Sequence, residues 1–552
     1  MKKPGRVSAL VTASAITLSG LAALPPVAAA APVPHGGILR VVMPWGKIPH
    51  NFNPLLPGQE SSTAPGTGSL LYEPLMYVNA YTGRYTPMLA TAYAWSDGNR
   101  TLTLTTRSGA KWADGAKFSA TDVAFTFNYL KTHKNVDTNG IWGDGLLSVQ
   151  APAPNTVVLR FAGPTPVLLP IILSQLIVPE HIWHKVATAV TFRNLDPVGT
   201  GPFVLRSYSP DEVIYVRNPF YWMAGRPYVD QVNMTSAPLG TKTASLLNLG
   251  YAYTSDAVPD PATFVATNPL ELHYWWPVTS TNFLYFNTRE APFNNVAFRR
   301  AIAEALNDPV IAQRAYFGAI PAATGGAETG IVPSQLYEWV PASLKPFEWT
   351  YSPARATATL RAAGFRDVGG SLVNNRGKAV PTLRILIGFG WEDYISMAET
   401  ITQELAPLGI HTLIDQEPFA TYEAAETAGT FDMAISWGIA NSVSPFYEYL
   451  FLLDGDKTTD WEHYSSPSDT GALLAFATHT SPSLQKQAMA SIERDILTNV
   501  PVVALTGRPN FFEYSTKTFT GWPNAANPYN AGEAPDDFTG GAEQLFLNIH
   551  LK

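Results

Sequence analysis

The sequence contains no cysteine among its 552 residues. A disulfide framework is therefore excluded, and so is a lipid anchor attached through a lipobox cysteine. Charged side chains are scarce as well, at 14% against about 25% in typical soluble proteins. Beyond the N-terminal region no long hydrophobic run occurs, because Val167–Val178 is too short to span a membrane and is interrupted by Pro170. These absences favour a soluble chain held together by its core alone.

The N-terminus has the features of a secretory signal peptide. Three basic residues within the first six precede the apolar stretch Val7–Leu24, and Ala28–Ala30 offers an A-x-A-like cleavage site. Removal of residues 1–30 changes the net charge from −8 to −11. An acidic mature chain disfavours nucleic acid and anionic membranes as partners. We expect a periplasmic or secreted protein without a lipid anchor.

Signatures of common enzymes are missing too, since the sequence has no G-x-S-x-G, H-E-x-x-H or P-loop motif. Its ten histidines are scattered, and the close pair His181 and His184 has no further ligand nearby to complete a zinc site. We therefore predict a protein that is not an enzyme, with no catalytic residue, metal or cofactor. Two alternatives stay open: a secreted glycoside hydrolase using carboxylates such as Glu392, Asp393 or Glu417, and an adhesive secreted protein.

What the chain has in abundance is apolar and aromatic residues, at 46% and 12%. With this length, the composition predicts two to four domains or a few large lobes with sizeable cores. Alternating strand and helix patterns across residues 283–509 indicate an α/β lobe with a mixed sheet. The aromatic rings fit either a large core or a cleft lined by rings.

The segment Gly199–Trp222, GTGPFVLRSYSPDEVIYVRNPFYW, is the most informative part of the chain. It predicts two short strands, Phe203–Tyr208 and Val213–Val216, closed by the turn Ser209–Glu212. The two glycines at its start allow a backbone path that side chains would block. Two further segments accompany it, Leu71–Leu75 (LYEPL) and Arg107–Val123, which contains the turn Asp114-Gly115.

These three segments resemble the peptide/nickel type (cluster C, family 5) of ABC-transporter substrate-binding proteins. Members typically read G-T-G-P-aromatic, a hairpin, and R-N-P-x-Y-W. The resemblance implies a two-lobed α/β periplasmic-binding-protein fold (class II) with mixed sheets, a hinge between the lobes and an additional inserted domain. The implied divisions are a signal peptide (1–30), lobe I in three parts (37–75, 196–281 and 510–552), the inserted domain (76–195) and lobe II (282–509).

Local signals predict several elements inside this frame. Ser119 and Asp122 form a capping-box-like start of a helix, and Asp308 before Pro309 is a good N-cap for another. A strand is predicted over Phe283–Thr288. The Gly-, Pro- and Asn-rich stretch 132–156 is predicted to be a linker.

Four loops lie where α/β sheets bind ligands, beyond the carboxyl ends of predicted strands. These loops are Trp45–Asn53, Tyr274–Trp276, Phe389–Asp393 and Trp437–Tyr447. Rings placed there stack on sugars or pack peptide side chains, each contributing about 0.5–1.5 kcal/mol beyond its buried area. The predicted ligand-binding residues are Trp45, Trp276, Trp391 and Trp437 for apolar contacts, and Asn53, Asn441 and Ser442 for hydrogen bonds.

The loop after Trp437 bears on the class of ligand. In peptide binders of the family it resembles W-x-x-D-x-x-x-P, and the Asp pairs with the ammonium of the peptide. Here Ala440 or Asn441 stands at that position, so the carboxylate would come from Glu392 or Asp393 in a neighbouring loop.

A second ligand class fits the same loop. Asn441, Ser442 and Ser444 are neutral hydrogen-bonding groups, which suit hydroxyls better than ions. Gly521–Tyr529 also resembles segments of oligosaccharide-binding members. The resemblance thus implies capture of an extended oligomeric solute, of the oligopeptide class common in the family or else an oligosaccharide, by hinge closure and its delivery to an ABC permease. We expect a monomer.

Overall fold

The structure of the protein is a computed structural model. It describes residues 32–56, 62–138, 140–143, 145–238, 241–258, 260–323, 327–332, 335–439, 443–453, 461–532, 534 and 540–552. The predicted signal peptide and the predicted ligand contacts Asn441 and Ser442 lie outside these residues. Every element given below lies in the compact unit Pro34–Lys552.

In chain order the strands are β1 (Ile38–Met43), β2 (Met76–Asn79), β3 (Arg84–Pro87), β4 (Ala90–Ser96), β5 (Thr101–Thr106), β6 (Leu146–Ala153), β7 (Thr156–Phe161), β8 (Phe203–Tyr208), β9 (Glu212–Arg217), β10 (Gln231–Ser236), β11 (Tyr253–Thr254), β12 (Leu272–Tyr274), β13 (Val278–Phe286), β14 (Arg366–Val368), β15 (Ser371–Val373), β16 (Leu383–Gly388), β17 (Thr412–Glu417), β18 (Met433–Trp437), β19 (Val502–Pro509), β20 (Glu513–Ser515), β21 (Phe519–Thr520) and β22 (His550–Leu551). The α-helices span Ala120–Thr132, Leu169–Ser174, Glu180–Trp183, Pro261–Ala266, Val296–Ala305, Asp308–Tyr316, Leu336–Trp339, Pro353–Ala362, Glu392–Leu405, Phe419–Ala428, Pro445–Leu453, Pro467–Thr478, Pro482–Asn499 and Gly541–Asn548. Within the described ranges no helix is long and apolar enough to cross a membrane.

A seven-stranded mixed sheet forms the first lobe. Its strand order is β12-β20-β11-β1-β10-β9-β8, so it draws on three separate stretches of the chain. β1 pairs in parallel with β10 and β11, and the other pairs are antiparallel. Its core includes Val41, Tyr215, Val232 and Phe512.

A five-stranded sheet, β17-β16-β18-β13-β19, forms the second lobe. Successive residues of a strand point to opposite faces, and both faces of this sheet are covered. Leu284 and Phe286 enter one core, whereas Phe283 and Tyr285 enter the other. This explains why β13 is apolar almost without alternation.

The four-stranded antiparallel sheet β4-β5-β7-β6 packs its own core against the helix Ala120–Thr132. The predicted capping box is confirmed: the Ser119 side chain caps the helix, and the Asp122 carboxylate accepts from the Ser119 N–H at 2.9 Å. The predicted linker 132–156 is wrong, because β6 lies within it and pairs with β7. The domain boundaries themselves stay a prediction.

Two other local predictions need correction. The strand predicted over Phe283–Thr288 begins earlier and ends sooner, as β13 (Val278–Phe286). The helix predicted to be capped by Asp308 has Asn307 at its N-cap, and Asp308 is its first, buried residue.

The chain crosses between the two large sheets twice, through residues 275–277 and 510–512. The crossing segments are hydrogen-bonded to each other by their backbones, with Trp275 N–H donating to Phe512 O at 2.9 Å and Asn510 N–H donating to Pro277 O at 3.0 Å. The two lobes are therefore joined by a paired ribbon.

The glycines of the Gly199–Trp222 segment are explained by close backbone packing. A Cβ atom on Gly199 would overlap the carbonyl oxygen of Leu71, and one on Gly201 would overlap that of Leu70. Gly199 O in turn accepts the N–H of Ala113 at 2.9 Å. The three sequence segments that carry the family resemblance thus meet in one place.

A buried carboxyl pair, Glu73 and Glu543, joins the same region to the C-terminal helix. The Trp222 indole N–H donates to Glu73 Oε1 at 2.8 Å, and the Tyr221 hydroxyl lies 3.2 Å from Oε1 of each glutamate. Burial raises the pKa of Glu73 to about 7, and burial together with the charge of Glu73 raises the pKa of Glu543 well above its usual range. Two neighbouring desolvated carboxyls do not both ionise readily, so the pair is most stable when it keeps at least one proton.

Candidate functional site

The carboxyl ends of the parallel strands β16 and β18 carry two of the predicted tryptophans. Trp437 is the last residue of β18 and stands in register with Asn282 of β13. Trp391 follows the end of β16 by three residues and precedes the helix Glu392–Leu405. A Cβ atom on Gly388 would overlap the Trp391 ring. The ring therefore fits against the end of β16 only because the last residue of this strand is a glycine.

These tryptophans are brought together in one aromatic cluster. The ring centroids of Trp391 and Trp437 lie 5.7 Å apart, and Tyr422 lies 5.2 Å from the first and 6.0 Å from the second. Phe419 stacks on Trp437 at 6.4 Å while 49% of its surface stays exposed. Phe389, directly after β16, is 71% exposed. This edge of the second lobe therefore presents ring surface that the fold does not cover.

A polar network lies beside the cluster. Asn282, fully buried on β13, donates to the Tyr316 hydroxyl at 2.8 Å and to Thr506 Oγ1 at 3.0 Å, and accepts from the Tyr394 hydroxyl at 2.9 Å. The Tyr316 hydroxyl donates to Asp393 Oδ2 at 3.1 Å. The orientation of the Asp393 carboxylate is thus fixed by Tyr316, which Asn282 of β13 holds in place.

Arg508 adds a positive charge at the end of β19. Its guanidinium carbon lies 5.6 Å from the Trp437 ring centroid, a cation–π geometry. Burial raises the pKa of Asp393, and the Tyr316 hydroxyl and the Arg508 guanidinium oppose this rise because they stabilise the charged form. A half-buried cation therefore lies against the Trp437 ring, and the half-buried Asp393 carboxylate interacts electrostatically with that cation.

Trp276, another predicted contact, lies in the crossing segment and is only 7% exposed. Its indole N–H donates to Glu513, a fully buried carboxyl whose pKa burial raises well above its usual range. Its ring meets Phe511 at 5.0 Å and Tyr316 at 6.4 Å. The structure thus places Trp276 behind the polar network, where it supports Tyr316.

Trp45 and Asn53, the two contacts predicted in the loop Trp45–Asn53, have different surroundings in the structure. Trp45 is half-buried and packs against the core of the seven-stranded sheet. Asn53 is fully buried, and its amide donates to the carbonyls of Ala189 and Phe192 at 2.9 and 2.8 Å while accepting from Leu55 N–H. With its hydrogen-bonding groups engaged inside the fold, Asn53 holds its loop in place, and the predicted hydrogen bond to ligand has no support here.

Three members of the site were not predicted by the sequence analysis: Tyr316, Arg508 and Asn282. A polar residue directly before the apolar run of β13 and an arginine at the end of a buried strand were the available signals. Within the described part of the chain no group of three or more His, Cys, Asp or Glu side chains is arranged to hold a metal ion.

The model of the bacterial extracellular solute-binding proteins, family 5, matches residues 84–460 of this sequence. The chain belongs to this family. The chain is also 27% identical over 369 residues to a Brucella ovis protein whose name assigns it provisionally to peptide binding by an ABC transporter. That match covers 65% of this chain and 66%, just under two thirds, of the Brucella protein.

Solved structures of solute-binding proteins show the fold. The mannohexaose-bound periplasmic oligopeptide-binding protein of Thermotoga maritima has a TM-score of 0.82 at 23% identity, over 93% of this chain and 98% of that one. The Bacillus subtilis oligopeptide-binding protein AppA, in complex with a nonapeptide, has a TM-score of 0.73 at 18% identity, over 94% and 100%. The predicted two-lobed periplasmic-binding-protein fold is confirmed.

Proposed function

We propose that this family 5 protein captures an extended oligomeric solute outside the cytoplasm and delivers it to the permease of an ABC importer. The observation that carries the proposal is the uncovered aromatic cluster at the edge of the second lobe, beside the ribbon that joins the two lobes. Closure of the lobes about such a ribbon encloses a ligand lying on the rings. Trp391 and Trp437 are the proposed ring contacts, with hydrogen bonds from Asn441 and Ser442.

An oligopeptide is the first candidate for the ligand. The name of the Brucella ovis relative and the nonapeptide bound to the Bacillus subtilis protein support it. For a peptide ammonium we propose Asp393 as the partner. Glu392, the other candidate carboxylate, already pairs with Lys242.

An oligosaccharide is the second candidate, and the opposite charges of Arg508 and Asp393 favour it. The positive charge of Arg508 repels an isolated ammonium, and the negative charge of Asp393 repels an isolated carboxylate. Two neutral hydroxyls of a sugar can instead donate to Asp393 and accept from Arg508. The mannohexaose in the Thermotoga maritima protein, which shares this fold, adds support.

Native mass spectrometry of the secreted, processed chain tests the proposal and separates the candidates. Hexose-spaced adducts identify an oligosaccharide, and amino-acid-spaced adducts identify a peptide. A released solute should raise the unfolding temperature when added back, and its mass should stay unchanged on incubation, as expected for a protein that is not an enzyme. A preparation without adducts that neither peptide nor oligosaccharide mixtures stabilise would contradict the proposal.

A further inference from the structure

Lys242 and Glu392 form an ion pair that joins the two lobes. The Lys242 Nζ and Glu392 Oε1 atoms lie 2.7 Å apart, with 57% and 51% of the two side chains exposed. Among the described residues it is the one ion pair between the lobe of the seven-stranded sheet and that of the five-stranded sheet. The other ion pairs lie within single lobes or within the four-stranded-sheet region.

Each partner is held firmly in its own lobe. Lys242 precedes a short 3₁₀ helix, Thr243–Leu249, which is bound to β11 and the segment after it. Thr243 Oγ1 lies 2.7 Å from Thr254 Oγ1, and Ala244 N–H donates to Asp256 Oδ2 at 3.1 Å. The ammonium therefore moves with the seven-stranded sheet.

Glu392 is the first residue of the helix Glu392–Leu405, which buries Tyr394 and Met397 against the five-stranded sheet. Its neighbours in sequence are the proposed ligand contacts Trp391 and Asp393. An ion pair at this point consequently closes the lobes directly beside the aromatic cluster.

We propose that Lys242 and Glu392 are positioning residues that hold the lobes closed and so set the dissociation rate of the solute. The relevance of closure to solute retention rests on the proposed function. An exposed ion pair of this kind shifts an equilibrium about two- to fivefold, and salt weakens it. Because a ligand bound between the lobes leaves only after they open, the same factor appears in its dissociation rate. Neither residue needs to touch the solute.

The absence of cysteine makes lobe separation directly measurable. Leu249→Cys and Leu413→Cys place one exposed thiol on each lobe. Spin labels on this pair report the distribution of lobe distances by pulsed EPR, without any ligand. We expect the ratio of closed to open molecules to fall about two- to fivefold in Lys242→Gln and in Glu392→Gln, with no further fall in the double variant. Lys242→Arg should retain closure. High salt should lower the closed population in the labelled chain that keeps Lys242 and Glu392, and should have no such effect in the Gln variants.

Asp230→Asn is the matched control, since it removes an exposed ion pair, Arg217–Asp230, that lies within the first lobe. It should leave the distances unchanged. Additive effects of Lys242→Gln and Glu392→Gln, or an equal effect of Asp230→Asn, would overturn the proposal. These outcomes need no solute, so they are distinguishable from a failure of the proposed function, which the mass-spectrometric test detects independently.

Discussion

Replacement of Glu73 by Gln should change how stability depends on pH. In the wild type the carboxyl is fully buried, and its pKa moves from 4.5 to about 7 on folding because burial penalises the charged form. Below pH 4.5 the carboxyl is protonated in the folded and in the unfolded chain, so it does not lower the free energy of unfolding. As pH rises to about 7, the unfolded chain loses its proton freely whereas the folded chain resists, so stability is lost across this window.

The size of the effect follows from the two pKa values. Each pH unit between 4.5 and about 7 costs about 1.4 kcal/mol, which sums to about 3 kcal/mol at pH 8. Glu73→Gln cannot ionise. Its carbonyl oxygen still accepts from the Trp222 indole, and its amide N–H₂ can donate to Glu543. Relative to the wild type, the variant should therefore gain about 3 kcal/mol between pH 4.5 and pH 8.

Urea unfolding at half-unit pH steps measures this difference. Glu493→Gln is a useful comparison, because burial in the other lobe raises the pKa of Glu493 to about 9. The advantage of that variant should continue to grow above pH 7, where that of Glu73→Gln has levelled off. Parallel stability curves for wild type and Glu73→Gln would show that folding does not raise the pKa of Glu73, and would refute the reasoning.

Three further substitutions test the site. Trp437→Ala should weaken solute binding at least several-fold by calorimetry and lower the unfolding free energy by about 2 kcal/mol, since its half-buried ring also packs against Trp391 and Tyr422; unchanged affinity would assign the ring to the core. Gly388→Ala should displace the Trp391 ring, seen as a change in tryptophan fluorescence and a loss of affinity, whereas Gly471→Ala, with open space around its Cβ, should leave both unchanged. Asn53→Ala should cost about 1–3 kcal/mol of stability through its lost hydrogen bonds, and a titration of the remaining folded protein should give the wild-type affinity.

Features set by neighbouring residues were predictable from the sequence. The hairpin strands were predicted over Phe203–Tyr208 and Val213–Val216, and the structure has β8 and β9 there. The Ser119 capping box was predictable for the same reason, since its partners are three residues apart. The glycines before the hairpin were read correctly as positions where side chains would clash.

Features that depend on distant partners were not predictable. Asn53 in a loop looked available, but its partners are carbonyls more than 130 residues away. Trp276 follows a strand, as a ligand contact is expected to do. In the structure its indole N–H donates to the carboxyl group of Glu513, 237 residues away. The strand β6 was missed because Pro, Gly and Asn on both sides outweighed a short apolar pattern that only pairing with β7 stabilises.

The ribbon of residues 275–277 and 510–512 restricts how the lobes move relative to each other. Two independent tethers would let one lobe tilt, slide and swivel, whereas two cross-bonded strands bend readily in the direction normal to their plane and resist shear within it. The hydrogen bonds from Trp275 and Asn510 therefore limit the relative motion of the two lobes mainly to bending of the ribbon. When the lobes close from an open state by bending of this one ribbon, they return to the same alignment each time. The rings of the second lobe therefore meet the same opposing surface at each closure.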